Sequence, residues 1–184
     1  MIKEIIENHI NVTENLVDNI DTIKKICDLT LKTIQNNYKI LLCGNGGSAS
    51  DASHIAAEFV GRFEKDRQPL SAISMNDNIS SITAIANDYG FEKIFSRQIQ
   101  TYGNKNDLLI AISTSGNSIN VINAVKAAID KKISVVIFTG ENAGKMNDFD
   151  CLKLKIKSKN VARIQEMHIL VGHIICKYVE KNIL

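Results

Sequence analysis

Five short apolar runs alternate along the chain with stretches in which apolar residues have helical spacing, and this alternation strongly constrains the fold. The runs lie at residues 39–43, 70–75, 107–113, 133–139 and 151–157. The first, third and fourth are nearly continuous (ILLC, LLIAI and VVIF), which is typical of strands buried on both faces of a parallel sheet. Helical stretches between them indicate connections that cover the sheet. We therefore predict an α/β fold, a doubly wound, five-stranded parallel sheet flanked by helices.

The fifth run differs from the others because it alternates apolar and charged residues. Leu152, Leu154 and Ile156 share one face, and the positions between them are lysines. Lysines along one face protect an exposed strand from pairing with another molecule. The pattern therefore predicts that the fifth strand lies at an edge of the sheet.

Apolar residues at helical spacing also fill the first 34 residues and a last stretch at about 161–181. Large aliphatic side chains lie off the main stripe of the first segment, at Val12, Val17 and Leu31, and almost encircle the last helix. A chain of 184 residues cannot cover both surfaces by itself. We predict one domain, residues 1–184, with an N-terminal helical segment (1–37) used in oligomerisation and an α/β core (38–184).

Charge and cysteine usage disfavour several classes of protein. With 22 Lys and Arg against 20 Asp and Glu, the net charge is +2, which argues against a nucleic-acid binder that works by bulk positive charge. The first residues lack the apolar segment of a signal peptide, and the longest apolar runs are too short to span a bilayer. The four cysteines lie in apolar segments without CxxC spacing, so we expect reduced thiols in a cytoplasmic protein. We also expect that the protein binds neither membranes nor nucleic acid.

The first apolar run ends in a glycine-rich loop that leads directly into a helical stretch. Its residues Asn45, Gly46, Gly47 and Ser48 combine close backbone approach with the unpaired N–H groups of a helix start, which suits an anion. A plain tight turn is the alternative. The loop also fits the dinucleotide pattern G-x-G-x-x-A, but the acidic residue at the end of the next strand, Asp77, lies too far along the chain for that fingerprint.

The third run ends in a second unusual loop, Ser-Thr-Ser-Gly-Asn-Ser at residues 113–118. A helix cap needs one hydroxyl, whereas this loop has four, at Ser113, Thr114, Ser115 and Ser118. Hydroxyl and backbone donors at a helix start form a good phosphate cradle. Two such loops on adjacent strands indicate a small phosphorylated ligand, such as a sugar phosphate.

Polar side chains interrupt two of the helical stretches near these loops. His54 and Glu58 are four residues apart and therefore share one helix face, where they could hold a metal, move a proton, or simply face solvent. In the last helix, Gln165, His168 and His173 interrupt an apolar pattern. A lone histidine in such a pattern is more often a core residue than a ligand.

Four segments together carry a specific resemblance: GNGGSASDASHIAAEFVGRF, AIANDYGFEKIFSRQ, ISTSGNS and ARIQEMHILVGH. They resemble the sugar isomerase (SIS) domain family and, in detail, its phosphoheptose isomerases. The resemblance implies interconversion of sedoheptulose 7-phosphate and D-glycero-D-manno-heptose 7-phosphate by enediol proton transfer. That reaction is the first step of bacterial heptose synthesis, for lipopolysaccharide, capsule or glycoprotein. The resemblance also implies a homotetramer with one Zn²⁺ per subunit.

The resemblance also assigns roles to individual residues. It implies that Glu58 and His173 are the base and the acid, and that Gln165 joins the substrate site. The implied zinc ligands are His54, Glu58, Gln165 and His173. Some family members have an acid immediately before the arginine of the RIQE motif, where this chain has Ala162.

By the same resemblance, Asn87 and Asp88 contact the sugar hydroxyls. Locally, residues 87–90 (NDYG) indicate a turn or a helix break.

The implied zinc ligands Gln165 and His173 raise a geometric difficulty. Residues eight apart on a straight helix lie about 12 Å apart along its axis, so the two side chains cannot easily meet at one metal ion. Side-chain reach, a helix bend near Gly172, or contributions from different subunits would each resolve it, and we favour the third.

Two other readings remain. One is a non-catalytic SIS paralogue that binds the bacterial replication initiator, which would have no chemical reason to keep Glu58, Asp88, Gln165 and His173 together. The other is an SIS isomerase for a different sugar phosphate, which a substrate panel would distinguish.

Overall fold

The computed structural model describes residues 1–183, in which seven α-helices and five β-strands follow one another in the predicted order. The helices are α1 (Ile2–Asn15), α2 (Ile20–Gln35), α3 (Gly47–Val60), α4 (Ile79–Tyr89), α5 (Ile94–Tyr102), α6 (Ile119–Asp130) and α7 (Val161–Ile183). The strands are β1 (Ile40–Cys43), β2 (Ala72–Ser74), β3 (Leu108–Ser113), β4 (Ser134–Gly140) and β5 (Leu152–Ile156).

The strands form one sheet in the order β2-β1-β3-β4-β5, and every neighbouring pair is parallel. This confirms the predicted five-stranded parallel sheet. β5 lies at an edge, as its alternating lysines predict, and its Leu154 and Ile156 side chains are buried. The order places a topological switch point between β1 and β3, where ligands of open α/β sheets bind.

Alternate residues of the central strands enter two separate cores. Leu42, Ile110 and Phe138 pack on one face with apolar residues of α1, α2, α3 and α7. Leu41 and Leu109, in contrast, pack on the other face with residues of α5 and α6. The strands are therefore buried on both sides, which explains why the first, third and fourth apolar runs are nearly continuous.

Helices α3 and α7 lie side by side and run in the same direction. A Cβ on Gly47 would meet the side chain of Gln165, and a Cβ on Gly172 would meet that of Ile55. Beyond the end of α3, the backbone N–H of Phe63 donates to the carboxylate of Glu180. Each contact farther along α3 is matched by one farther along α7, as parallel helices require. Gly172 has no side chain, which leaves room for Ile55 to pack closely.

Helices α1 and α4 leave much of their apolar surface uncovered. Ile2 and Ile6 of α1 are 71% and 55% exposed, and Ile79 of α4 is 74% exposed. Within the described chain, α4 has no buried residue and α1 has one, Val12. Of the three residues predicted to lie off the stripe, Val17 is exposed, but Val12 is buried and Leu31 packs against the core. The last helix buries most of its apolar residues against the sheet and its neighbours.

The four cysteines are free thiols, and Cys27, Cys43 and Cys176 are buried as expected, with Cys151 half-buried. Burial raises the pKa of the Cys43 thiol to about 12, so it stays protonated at neutral pH. Among residues 1–183, no helix combines the length and the apolar character that crossing a bilayer requires.

Candidate active site

The first predicted loop follows β1 and opens α3. Gly46 has a φ of 57°, a left-handed conformation that favours glycine, and the side-chain amide of Gln165 fills the space that a Cβ on Gly47 would need. The amide of Asn76, just beyond β2, bonds both the N–H and the carbonyl of Gly44, at 3.2 and 2.8 Å. The loop is therefore held from two sides at the N-terminus of α3, the end of a helix that favours an anion.

The second predicted loop, residues 113–118, lies at the N-terminus of α6. The hydroxyl of Ser113 donates to that of Ser118 over 3.1 Å, so two of the four predicted hydroxyls already touch. Gly116 has a φ of 64°, and a Cβ there would overlap the carbonyl of Ala143. Only glycine fits this turn, which brings the loop against the segment that follows β4.

The two loops are neighbours because β1 and β3 are paired strands. A reciprocal amide pair joins them: Asn45 and Asn120 each donate to the other over 2.9 Å. Asn120 is buried on α6, so it fixes the position of Asn45 from below. The structure thus brings the two predicted cradles together at the switch point.

Three predicted side chains form a cluster farther along α3. Nε2 of His54 lies 3.0 Å from Oε1 of Glu58, and the rings of His54 and His173 meet edge to face with centroids 5.0 Å apart. The ring of Phe63 lies on the other side of His173, at 5.5 Å. α3 therefore supplies His54 and Glu58 from one face, and α7 supplies His173.

This cluster has the composition and spacing of a metal site. One ligand atom from each of His54, Glu58 and His173 lies within 4.8 Å of the others. Nε2 of His173 is buried and has no hydrogen-bond partner in the described chain, so it is free to bind an ion. Two imidazoles and a carboxylate with a fourth position open suit a catalytic Zn²⁺. These residues therefore fit a zinc ion.

Gln165 lies elsewhere, since its amide fills the space beside Gly47 at the first loop. The eight residue steps from Gln165 to His173 correspond to about 12 Å along α7. One subunit thus brings together three of the four predicted zinc ligands and places the fourth at the first phosphate cradle. This separation matches the difficulty that the sequence raised.

Asp51 is a further polar group on α3, between the first loop and the cluster. Its Oδ2 atom is buried and has no hydrogen-bond partner among the described residues. Burial raises the pKa of this carboxyl to about 6, although the nearby charge of His54 opposes the shift. Asp51 is therefore easier to protonate near neutral pH than an exposed aspartate.

Asn87 and Asp88 lie in the last turn of α4, and the amide of Asn87 donates to the carboxylate of Asp88 over 2.8 Å. The expected break comes after them, at Gly90, whose φ is 90°. Both side chains are exposed, on a helix that has no fully buried residue in the described chain. They face solvent and touch none of the other predicted site residues through a hydrogen bond.

Sequence reasoning missed the residues that hold the site in shape. Asn76 and Asn120 brace the loops, and Arg67 bonds the end of α3. Arg62 is exposed just beyond the end of α3. No local pattern distinguishes Arg67 from the charged residues around it.

Comparison with known proteins agrees with this geometry. The family model described as the SIS domain matches residues 6–140. The phosphoheptose isomerase of Helicobacter pylori is 49% identical over 162 residues, 88% of this chain and 84% of that protein. The phosphoheptose isomerase of Aliarcobacter butzleri is 43% identical over 183 residues, 100% of this chain and 97% of that protein.

Solved structures give the same result. The phosphoheptose isomerase GmhA of Neisseria gonorrhoeae has a TM-score of 0.92 at 38% identity, covering 98% of this chain and 97% of that one. A phosphoheptose isomerase of Francisella tularensis has a TM-score of 0.94 at 33% identity, covering 98% and 96%. The chain therefore belongs to the SIS-domain family and, within it, to the phosphoheptose isomerases.

Proposed function

We propose that this protein interconverts sedoheptulose 7-phosphate and D-glycero-D-manno-heptose 7-phosphate. The observation that carries the proposal is the approach of Glu58 and His173 within one metal-fitting cluster, in a chain 43% identical to a phosphoheptose isomerase over its whole length. Proximity alone would suit many reactions. The two hydroxyl- and glycine-rich loops narrow the substrate to a phosphorylated sugar.

Aldose–ketose isomerisation moves one proton between C1 and C2 through an enediol. Glu58 takes the proton from C1 of the ketose and returns it to C2, while His173 exchanges the hydroxyl proton between O2 and O1. The 3.0 Å contact with His54 orients the carboxylate of Glu58 for this role. The phosphate, held by Ser113, Thr114, Ser115 and Ser118, anchors the far end of the sugar.

His54, Glu58 and His173 would also hold the zinc ion, one per subunit. When bound, Zn²⁺ polarises the carbonyl and hydroxyl oxygens of the substrate as a Lewis acid. Gln165 lies at the phosphate cradle, so we assign its amide to substrate binding within its own subunit. Its role as a zinc ligand would require an approach that the isolated chain does not make.

We further propose that the working enzyme is a homotetramer with shared sites. The exposed isoleucines of α1 and Ile79 on α4 support this, because a lone subunit leaves them in water. Cradle and cluster are separated along α3: Gly47 and Glu58 lie about 16 Å apart along its axis. Closed symmetry would let one subunit's α4, with Asn87 and Asp88, contact substrate held by another. We place the enzyme in the cytoplasm, where free thiols stay reduced.

One experiment tests the reaction directly. Purified protein supplied with Zn²⁺ is incubated with sedoheptulose 7-phosphate, and NMR is used to detect an aldoheptose 7-phosphate. Turnover of this ketose with no turnover of arabinose 5-phosphate or amino-sugar phosphates is the expected result. Turnover of another sugar phosphate alone would favour a different SIS isomerase. Inactivity on the whole panel together with binding to a replication initiator would favour the non-catalytic paralogue.

A further inference from the structure

A buried ion pair lies where α3 ends and α7 passes beside it. Nε of Arg67 is 3.4 Å from Oε1 of Glu180, and only 3% of either side chain is exposed. Charged side chains this deeply buried cost free energy unless they are paired and fully bonded. The contacts that Arg67 and Glu180 make therefore show which parts of the structure the ion pair holds in place.

Arg67 bonds the last carbonyls of the helix that carries the proposed base. One guanidinium nitrogen donates to the carbonyl of Glu58 itself over 2.7 Å, and the other donates to the carbonyl of Phe59 over 2.9 Å. The second nitrogen also reaches the carbonyl of Gly61, just past the helix, at 3.3 Å. These carbonyls lie at a helix C-terminus, where a cation is favoured and intrahelical donors run out.

Glu180 holds the chain that leaves α3. Its carboxylate accepts the backbone N–H groups of three successive residues, Phe63, Glu64 and Lys65, at 3.0 to 3.2 Å. Burial alone would raise the pKa of Glu180, but these donors and Arg67 outweigh it and hold the pKa below its usual value. The carboxylate is therefore ionised at neutral pH, and it fixes the backbone of Phe63, whose ring lies on His173.

We propose that Arg67 and Glu180 are positioning residues for the isomerase pair, an inference that rests on the proposed function. Arg67 fixes Glu58 by donating to the backbone carbonyl of Glu58, and Glu180 fixes His173 by holding the backbone of Phe63. The ion pair between them couples α3 to α7 two turns beyond the cluster. The pair thus sets the separation of Glu58 and His173 without touching either reacting side chain.

The chain offers a matched control for this pair. Lys177 and Glu64 also join α7 to the segment after α3, at 2.8 Å, but on the surface, where 63% and 50% of their side chains are exposed. Exposed ion pairs contribute little to stability. Lys177→Met therefore removes a link between the same two segments without disturbing the buried contacts.

The test compares Glu180→Gln, Arg67→Lys and Arg67→Met with wild type and Lys177→Met. We expect kcat for sedoheptulose 7-phosphate to fall about 10- to 100-fold in Glu180→Gln and Arg67→Met, because small displacements of reacting groups are costly. KM should stay within about twofold, because the phosphate cradles lie at the other end of α3. Arg67→Lys should recover part of kcat, and Lys177→Met should behave as wild type.

A second readout separates positioning from folding. Zinc affinity, measured by competition with a chromogenic chelator on the folded oligomer, should weaken at least tenfold in Glu180→Gln and Arg67→Met and stay unchanged in Lys177→Met. If the charge variants do not fold, Phe63→Leu is the substitute variant, because it leaves the ion pair intact. We expect it to lower kcat several-fold at constant KM. If the wild-type enzyme turns over and the folded variants keep its kcat and its zinc affinity, the inference is overturned. An inactive wild-type enzyme would instead overturn the proposed function.

Discussion

The side-chain amide of Gln165 fills the space that a Cβ on Gly47 would occupy. Eight residues farther along the same helix, His173 meets His54 edge to face. α7 therefore serves two places at once, the first turn of α3 and the cluster two turns later. This relationship separates the anchoring of phosphate from the chemistry at C1 and C2 within one subunit, and variants can address the two parts independently.

Glu58→Gln tests the base. The amide keeps the shape of the side chain but cannot accept the C1 proton, so kcat should fall about 10²- to 10⁴-fold. KM should change little, since the loops that bind phosphate are untouched. Glu64→Gln, on an exposed glutamate six residues later, is the matched control and should keep full activity. Steady-state kinetics with near-normal kcat for Glu58→Gln would remove Glu58 from the mechanism.

Metal removal tests the cluster. We expect a chelator to lower activity and added Zn²⁺ to restore it, with elemental analysis giving about one zinc per subunit. His173→Ala should abolish zinc binding because it removes one of the three convergent ligands. Gln165→Leu should leave zinc affinity unchanged and raise KM, given its place beside Gly47. Full activity of metal-free protein would assign the cluster to acid–base chemistry alone.

Point substitutions on α1 test assembly more sharply than deletion of residues 1–20, because Val12 and Leu16 in that segment belong to the core. Ile6→Asp with Ile10→Asp places two charges on exposed positions and should dissociate the tetramer and lower activity together. Light scattering and assays at one protein concentration measure both quantities. Ile129→Asp, at a similarly exposed isoleucine on α6, is the control. A fully active wild-type monomer would contradict the shared site.

His168 gives a prediction about pH. The side chain is fully buried, its Nε2 lies 3.3 Å from the carbonyl of Thr139, and its Nδ1 has no partner in the described chain. Burial lowers its pKa from 6.5 to about 4, so the unfolded state binds the proton more readily. Stability from the neutral imidazole is complete above pH 6.5 and is lost as pH falls towards 4, by roughly 3 kcal/mol.

His168→Gln should therefore lose less stability than wild type between pH 6.5 and 4. Urea unfolding at a fixed protein concentration gives the free energy of unfolding at each pH. The comparison of the two proteins cancels the opposite contribution of Asp51, whose pKa is raised to about 6. Parallel curves for wild type and variant would show that His168 does not titrate in this range.

Much of the fold follows from local patterns. The apolar runs predict all five strands, and the lysines at 153 and 155 predict which strand lies at an edge. Runs such as LLIAI are informative because both faces of β3 are buried, so periodicity is replaced by continuous apolarity. The break expected within residues 87–90 falls at Gly90, the last of them, and α4 continues through Asn87 and Asp88, which favour turns in isolation.

Local patterns identify the candidate site less completely. His54 and Glu58 are four residues apart and could be paired by spacing, whereas His173 joins them only because α3 and α7 run parallel. That packing also brings Glu180 to Arg67 across more than a hundred residues. Spacing rules reach one or two turns, so a contact of this kind has no local signal. The resemblance to a family supplied His173, and nothing in the sequence supplied Arg67.

The parallel course of α3 and α7 makes the length of each helix as important as the identity of its residues. One residue inserted between Gln165 and His173 would rotate the rest of α7 by about 100° and advance it by about 1.5 Å. Gln165 would stay beside Gly47 while His173 turned away from His54. Natural variants of this protein should therefore carry their insertions and deletions in surface turns, and none between residues 47 and 58 or between 165 and 180.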